Sequence, residues 1–418
     1  MSRRRRTRKG LTSMGQQPSL TIINARIFDG TRAELVEGGV RIVDGIVAEA
    51  GPSVTGSGAA DGDGGQVVDA RGGVVIPGLI DAHCHAYGVG LDMVGIESEP
   101  LSYVALKAAT RLGNALRRGF TTVRDVAGGD PGLARAIEEG LLAAPRYFYT
   151  GPALSQTGGH GDPRPGDRDL CVGHTHMTEI VDGVDGVRTA VRERFRRGAH
   201  AIKIMTSGGV VSLTDPIRRP QYSADEVRAI TDEAARRGSY VAAHAYSPEA
   251  IEHSVTNGVR SIEHGNLLDE PTAKLMADHG AFLVPTLAAY DALDRRGDAL
   301  GLNPISKAKN REVLAEGKRA IELARDAGVP VGFGTDLMGD LEDDQLVGLR
   351  LQVEVLGVLD ALRSATSVNA RLLGSDDLGR IGAGAAGDLV LFDGDPFDDP
   401  SLLWAAGGRT VVARGRVV

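Results

Sequence analysis

Two histidines open the chemistry of this chain. His83 and His85 stand two apart at the end of the apolar run in IPGLIDAHCHAYG. Residues i and i+2 of a strand point the same way, so both imidazoles face one side and Cys84 the other. Two neutral imidazoles on one face begin a zinc site. A second His-x-His, His174 and His176, lies in a Gly-rich loop and lacks that strand-end placement. Lys203 sits inside the apolar stretch AHAIKIMTSGG, in a chain with seven lysines against forty arginines. It is either an ion-paired or snorkelling lysine, or a buried amine held neutral. A neutral amine can add carbon dioxide, and the resulting carbamate can bridge two metals. The lysine alone does not decide between these readings.

Three more residues follow the same placement. His244 lies near the end of YVAAHAY, His264 near the end of SIEHG, and Asp336 ends VGFGTD. Taken singly, each reads as a satisfied polar residue. Taken together, all six fall on expected strands, five at or near the carboxyl end, where barrel enzymes place catalytic residues.

The elements that must position them alternate. Apolar runs at 74–85, 121–126, 146–154, 201–206, 240–246, 261–265, 281–287 and 330–336 read as strands. Helical stretches lie between them. SADEVRAITDEAARRG starts on a Ser cap with an acidic first turn, and SPEAIEHSVTNG has the same grammar. Eight such repeats predict an α/β fold, a (β/α)8 TIM barrel over 77–383. The β-rich ends, 18–76 and 384–418, predict one small β-sandwich domain built from both termini. Residues 53–65 read as a loop, and 155–181 as a long excursion after strand three. A doubly wound sheet is the alternative fold, but no Gly-rich phosphate turn follows an early strand.

Composition narrows the function classes. With 42% hydrophobic and 24% charged residues, the 418-residue chain suits a soluble globular protein. Two cysteines exclude a disulfide scaffold and a four-cysteine zinc site. No apolar run of about 18 residues exists, so no membrane helix is expected. The net charge of −8 hides six basic residues among the first ten. The rest is more acidic still, a poor nucleic-acid surface. The basic segment 1–17 is expected to be a disordered tail, with Met14 an alternative initiator and the cytoplasm the expected compartment.

The motifs VVIPGLIDAHCH, FTTVRDVAG, AIKIMTSGG, VAAHAY, SIEHG, GTD, ATSVNARLLG and LGRIGAGAAGDLVLFDGDP span nearly the whole chain. Their pattern resembles the metal-dependent amidohydrolase superfamily, in the branch of imidazolonepropionase-like proteins and binuclear prolidases. The resemblance implies that His83, His85 and Asp336 hold one divalent ion and His244 and His264 a second. Carboxylated Lys203 would bridge the two. It implies hydrolysis by a metal-bridging hydroxide, with Asp336 carrying the proton to the leaving amine. Zinc is the default metal for a histidine-rich set, with manganese or cobalt as substitutes. The substrate implied is a small molecule, a dipeptide or N-acyl amino acid, and the assembly implied is a homo-oligomer, with an octamer as its specific form.

Neighbouring residues are read as substrate contacts. Tyr246 shares a strand face with His244, so its hydroxyl could donate to a developing oxyanion; otherwise it packs. His160, in TGGHGD, lies on a loop resembling one that reaches substrate in prolidase-like relatives. Arg218, with Arg219 beside it, could bind a carboxylate. Two alternatives stand beside amide hydrolysis. A mononuclear cyclic-amide hydrolase or heterocycle deaminase would usually lack the lysine and carry Glu where this chain has Ser247. A non-catalytic binding protein would normally have lost a ligand, and all six are present.

Overall fold

The structure, a computed structural model, describes residues 19–55, 65–164, 176–213 and 215–418. The basic tail, His174, Cys171 and most of the expected 53–65 loop lie outside the described residues.

Eight strand segments form a ring. Leu79–Cys84 pairs in parallel with Phe120–Asp125, which pairs with Arg146–Tyr149. The third strand then turns at Gly151 and Pro152 and resumes at Ala153–Ser155, which meets Ile202–Met205. Thus the run read as one strand at 146–154 is two, broken where Pro152 can donate no hydrogen bond. Val241–Ala245, Ser261–His264 and Phe282–Val284 follow in parallel order. The eighth segment, 330–336, closes the ring without being a regular strand. Gly332 N donates to Leu283 O on one side at 2.8 Å, and Ala82 N to Phe333 O on the other at 2.9 Å. Its irregularity has a steric cause. A Cβ on Gly334 would stand 2.5 Å from His83 Cβ, so only glycine lets the segment approach strand one this closely. Buried Asn369, from ATSVNARLLG, staples the closure by donating to Ile80 O and Phe333 O.

The helices between strands follow the expected grammar. Helix Ala224–Arg236 opens on a capping box between Ser223 and Glu226 and buries Val227, Ile230 and Ala234 along one stripe. No described helix is long and apolar enough to cross a membrane.

The terminal segments form one mixed eight-stranded sheet. Val74–Pro77, expected to run on into strand one, belongs to this sheet, and the chain enters the barrel after Gly78. That strand pairs with Leu20–Ile27 and with Leu389–Phe392, so both ends of the chain meet beside the barrel. Alternation does the packing. Val75, Leu389 and Leu391 enter the sheet's own core, while Val74, Ile76, Val390 and Phe392 pack against barrel residues such as Leu79 and Phe120. The sheet curls on itself: Val47 N donates to Ala385 O and Gly384 N to Val47 O. The curled sheet thereby encloses one apolar core, with Leu20, Val40, Val47, Leu389 and Val412 buried in it.

Candidate active site

The six residues converge at the carboxyl end of the ring. Asp336 Oδ1 lies 2.8 Å from His85 Nε2 and 3.3 Å from His83 Nε2, and its Oδ2 lies 3.8 Å from His264 Nδ1. His244 joins through His264, their ring centroids 4.5 Å apart. Lys203 lines the same cavity, which holds about 100 Å³. A wider groove of about 820 Å³ lies to the side, lined by Tyr87, Tyr149 and Arg194, and contains none of the six. The chemistry therefore belongs to the smaller cavity.

The backbone at two of these positions is unusual. His264 has φ of 75° and Asp336 of 57°, both left-handed. Such conformations cluster at functional sites because the surrounding structure must hold them.

Burial and mutual charge set the protonation states. Burial pushes His244 and His264 well below the ordinary imidazole range, and Lys203 acts in the same direction on both. Burial would raise Asp336, but the neighbouring His83, His85 and His264 outweigh it and hold the carboxylate well below its usual range. Burial also brings Lys203 down to about 8. Its Nζ has no hydrogen-bond partner among the described residues, and neither has His85 Nδ1. The four imidazoles of His83, His85, His244 and His264, one carboxylate and an unpartnered buried amine are a donor set that fits divalent cations. His83, His264 and Asp336 already present ligand atoms within 4.8 Å of one another.

The remaining candidates separate. Tyr246 lines the cavity, stacks on His264, and shares a 2.8 Å hydrogen bond with the hydroxyl of Tyr290. Burial drives both tyrosines above their ordinary pKa, so both keep their protons. His160 stacks on His244 at 4.1 Å between centroids, and burial lowers it to about 4. Gly209 makes that stacking possible, since a Cβ there would meet the His160 ring at 2.1 Å. Arg218 stands apart. Its exposed guanidinium pairs with Glu312 at 2.7 Å and does not line the cavity, because the segment folds with that side chain toward solvent. His176 also lies outside the cavity, on the side groove.

Sequence reasoning passed over three kinds of residue. Tyr290 sits on helix Leu287–Arg296, where nothing in the pattern marks it. Arg124 and Glu263 are buried charges inside strands, the same signal that singled out Lys203. Lys309 reaches from helix Pro304–Asp326 and donates to Gly209 O, Ser212 O and Asp215 O at 2.8–2.9 Å. It holds the cavity wall formed by Val210 and Val211. Lys309→Met should release this wall. Trypsin should then cut after exposed Arg218 about ten times faster, as charge-assisted hydrogen bonds of this kind are lost; an unchanged cleavage rate would show that the clamp is idle.

The chain is similar to known hydrolases over most of its length. The pattern named "Amidohydrolase family" matches residues 74–418. A prolidase solved with N-methylphosphonate-L-proline is 44% identical, with a TM-score of 0.91, covering 96% of this chain and 99% of that one. A Xaa-Pro dipeptidase solved with bound methionine is 29% identical, with a TM-score of 0.84, covering 96% and 99%. The ochratoxinase of Aspergillus niger is 33% identical over 372 residues, covering 82% of this chain and 75% of that protein. The chain belongs to the amidohydrolase family, as a hydrolase of carbon–nitrogen bonds.

Proposed function

We propose that this hydrolase is binuclear and cleaves the amide bond of a dipeptide or an N-acyl amino acid. One observation carries the reading: the buried, unpartnered amine of Lys203 faces the same cavity as His83, His85, His244, His264 and Asp336. A bridging carbamate gives that amine a function that no ion pair supplies. The likeness to a prolidase, a dipeptidase and an ochratoxinase supports the substrate class.

In this reading His83, His85 and Asp336 would hold one ion and His244 and His264 the other, with carboxylated Lys203 as their shared ligand. When bound, two divalent ions, zinc by default, acidify a water and polarise the scissile carbonyl. The chain's own residues then move the protons. Asp336 has the most open side chain of its cluster, 19% exposed against 1% for His83 and 3% for His264. It can accept a proton and deliver it to the leaving amine. With one proton of the Tyr246–Tyr290 pair held in their mutual hydrogen bond, the other hydroxyl, Tyr246 when Tyr290 donates to it, can donate to the carbonyl oxygen as its charge grows. His160 forms a cavity wall against which substrate packs.

Ser247, the position that separates the deaminase reading, is committed elsewhere. Its hydroxyl caps helix Pro248–Thr256 and donates to Arg218 O. The family resemblance extends the proposal to a homo-oligomer, an octamer in its specific form, which light scattering reads directly.

Elemental analysis of freshly purified protein tests the proposal, followed by a dipeptide and N-acyl amino acid screen on the same sample. About two divalent ions per chain with amide turnover are expected. One ion per chain with turnover confined to cyclic amides or heterocycles would overturn it.

A further inference from the structure

His83 is gripped from behind by a buried charge pair. Its Nδ1 lies 2.7 Å from Glu263 Oε2, while its Nε2 faces Asp336. Glu263 is 0% exposed and is itself fully engaged. Arg124 Nη2 donates to both its oxygens, at 2.8 and 2.9 Å, and Ser261 Oγ donates at 2.5 Å. Arg124, 1% exposed, reaches across the barrel interior from the second strand to the sixth and also donates to Ala82 O, one residue before His83.

We infer that Glu263 is a positioning residue, which accepts the Nδ1 proton of His83 and so fixes the ring with its Nε2 lone pair free for a cation. An ionised carboxylate can only accept, so the proton between the two atoms belongs to the imidazole. Arg124 has a second role. A bare carboxylate beside the cavity would compete as a cation ligand, and Arg124 opposes that by donating from Nη2 to both oxygens. The pair thus orients one ligand without adding net charge. This arrangement is the outer-shell carboxylate–histidine contact that tunes metal sites. The inference rests on the proposed role of His83 as a ligand.

The test is Glu263→Gln in the full chain, with zinc as the probe and a chromophoric chelator as competitor. The variant should hold one zinc about 10- to 100-fold more weakly than the wild type while its melting profile shows a folded protein. A folded variant with wild-type zinc affinity overturns the inference. A wild type that takes up no zinc sinks the proposed function instead, and in that event, or if the variant does not fold, the tautomer decides. In 15N-histidine spectra of the metal-free wild type, a proton on Nδ1 of His83 supports the inference and an unprotonated Nδ1 overturns it.

Discussion

Lys203→Ala should cost about a thousandfold or more in amide turnover, about 4 kcal/mol of transition-state stabilisation, and should remove most of the second metal. The amine is 2% exposed and has no hydrogen-bond partner among the described residues. Removing it breaks no native pair, so the fold should survive and the loss should be one of function. Metal per chain and turnover, measured on the same sample, check this. Near-normal turnover would show the bridge assignment to be wrong. The chemistry also has a pH signature. Burial brings the amine to about 8, so its neutral fraction climbs between pH 7 and 9. Reloading metal-free protein with zinc at constant dissolved carbon dioxide should accelerate over that interval, whereas an amine that stays protonated would show no such rise.

Asp336→Asn should keep measurable metal and lose about 10² to 10⁴ in kcat, the range of a general acid–base residue. Asparagine keeps the shape and one acceptor oxygen but cannot carry the proton. It also tolerates the left-handed backbone that Asp336 adopts, so the variant should fold. Wild-type turnover in a metal-loaded variant would remove Asp336 from the proton path.

The cluster of His83, His85, Lys203, His244, His264 and Asp336 was legible because its signals are local. His83 and His85 follow from a period of two, and Lys203 from a charge in an apolar strand. The same charge signal marks Arg124 and Glu263, yet FTTVRDVAG and SIEHG do not show that the two meet across the barrel. That meeting depends on strand register, which only folding sets. Arg218 failed for the related reason that a loop's side-chain direction has no periodicity to betray it. The breaks at Gly78 and Gly151 were legible in principle, since each glycine adjoins a proline inside an apolar run. Continuous hydrophobicity hid them, because both halves of each run are buried, one in the terminal sheet or at a kink and the other in the barrel.

The left-handed backbone at His264 and Asp336 carries a consequence for how this site can change over generations. Histidine, aspartate and asparagine are among the few residues with side chains that occupy this region with any frequency, and glycine enters it freely. Shape and chemistry therefore select overlapping alphabets at these two positions. A descendant that abandoned hydrolysis would still be steered toward Asn or Gly there, whereas a β-branched replacement would strain the ring of strands. Silenced copies of this enzyme should thus keep a backbone scar where their chemistry used to be.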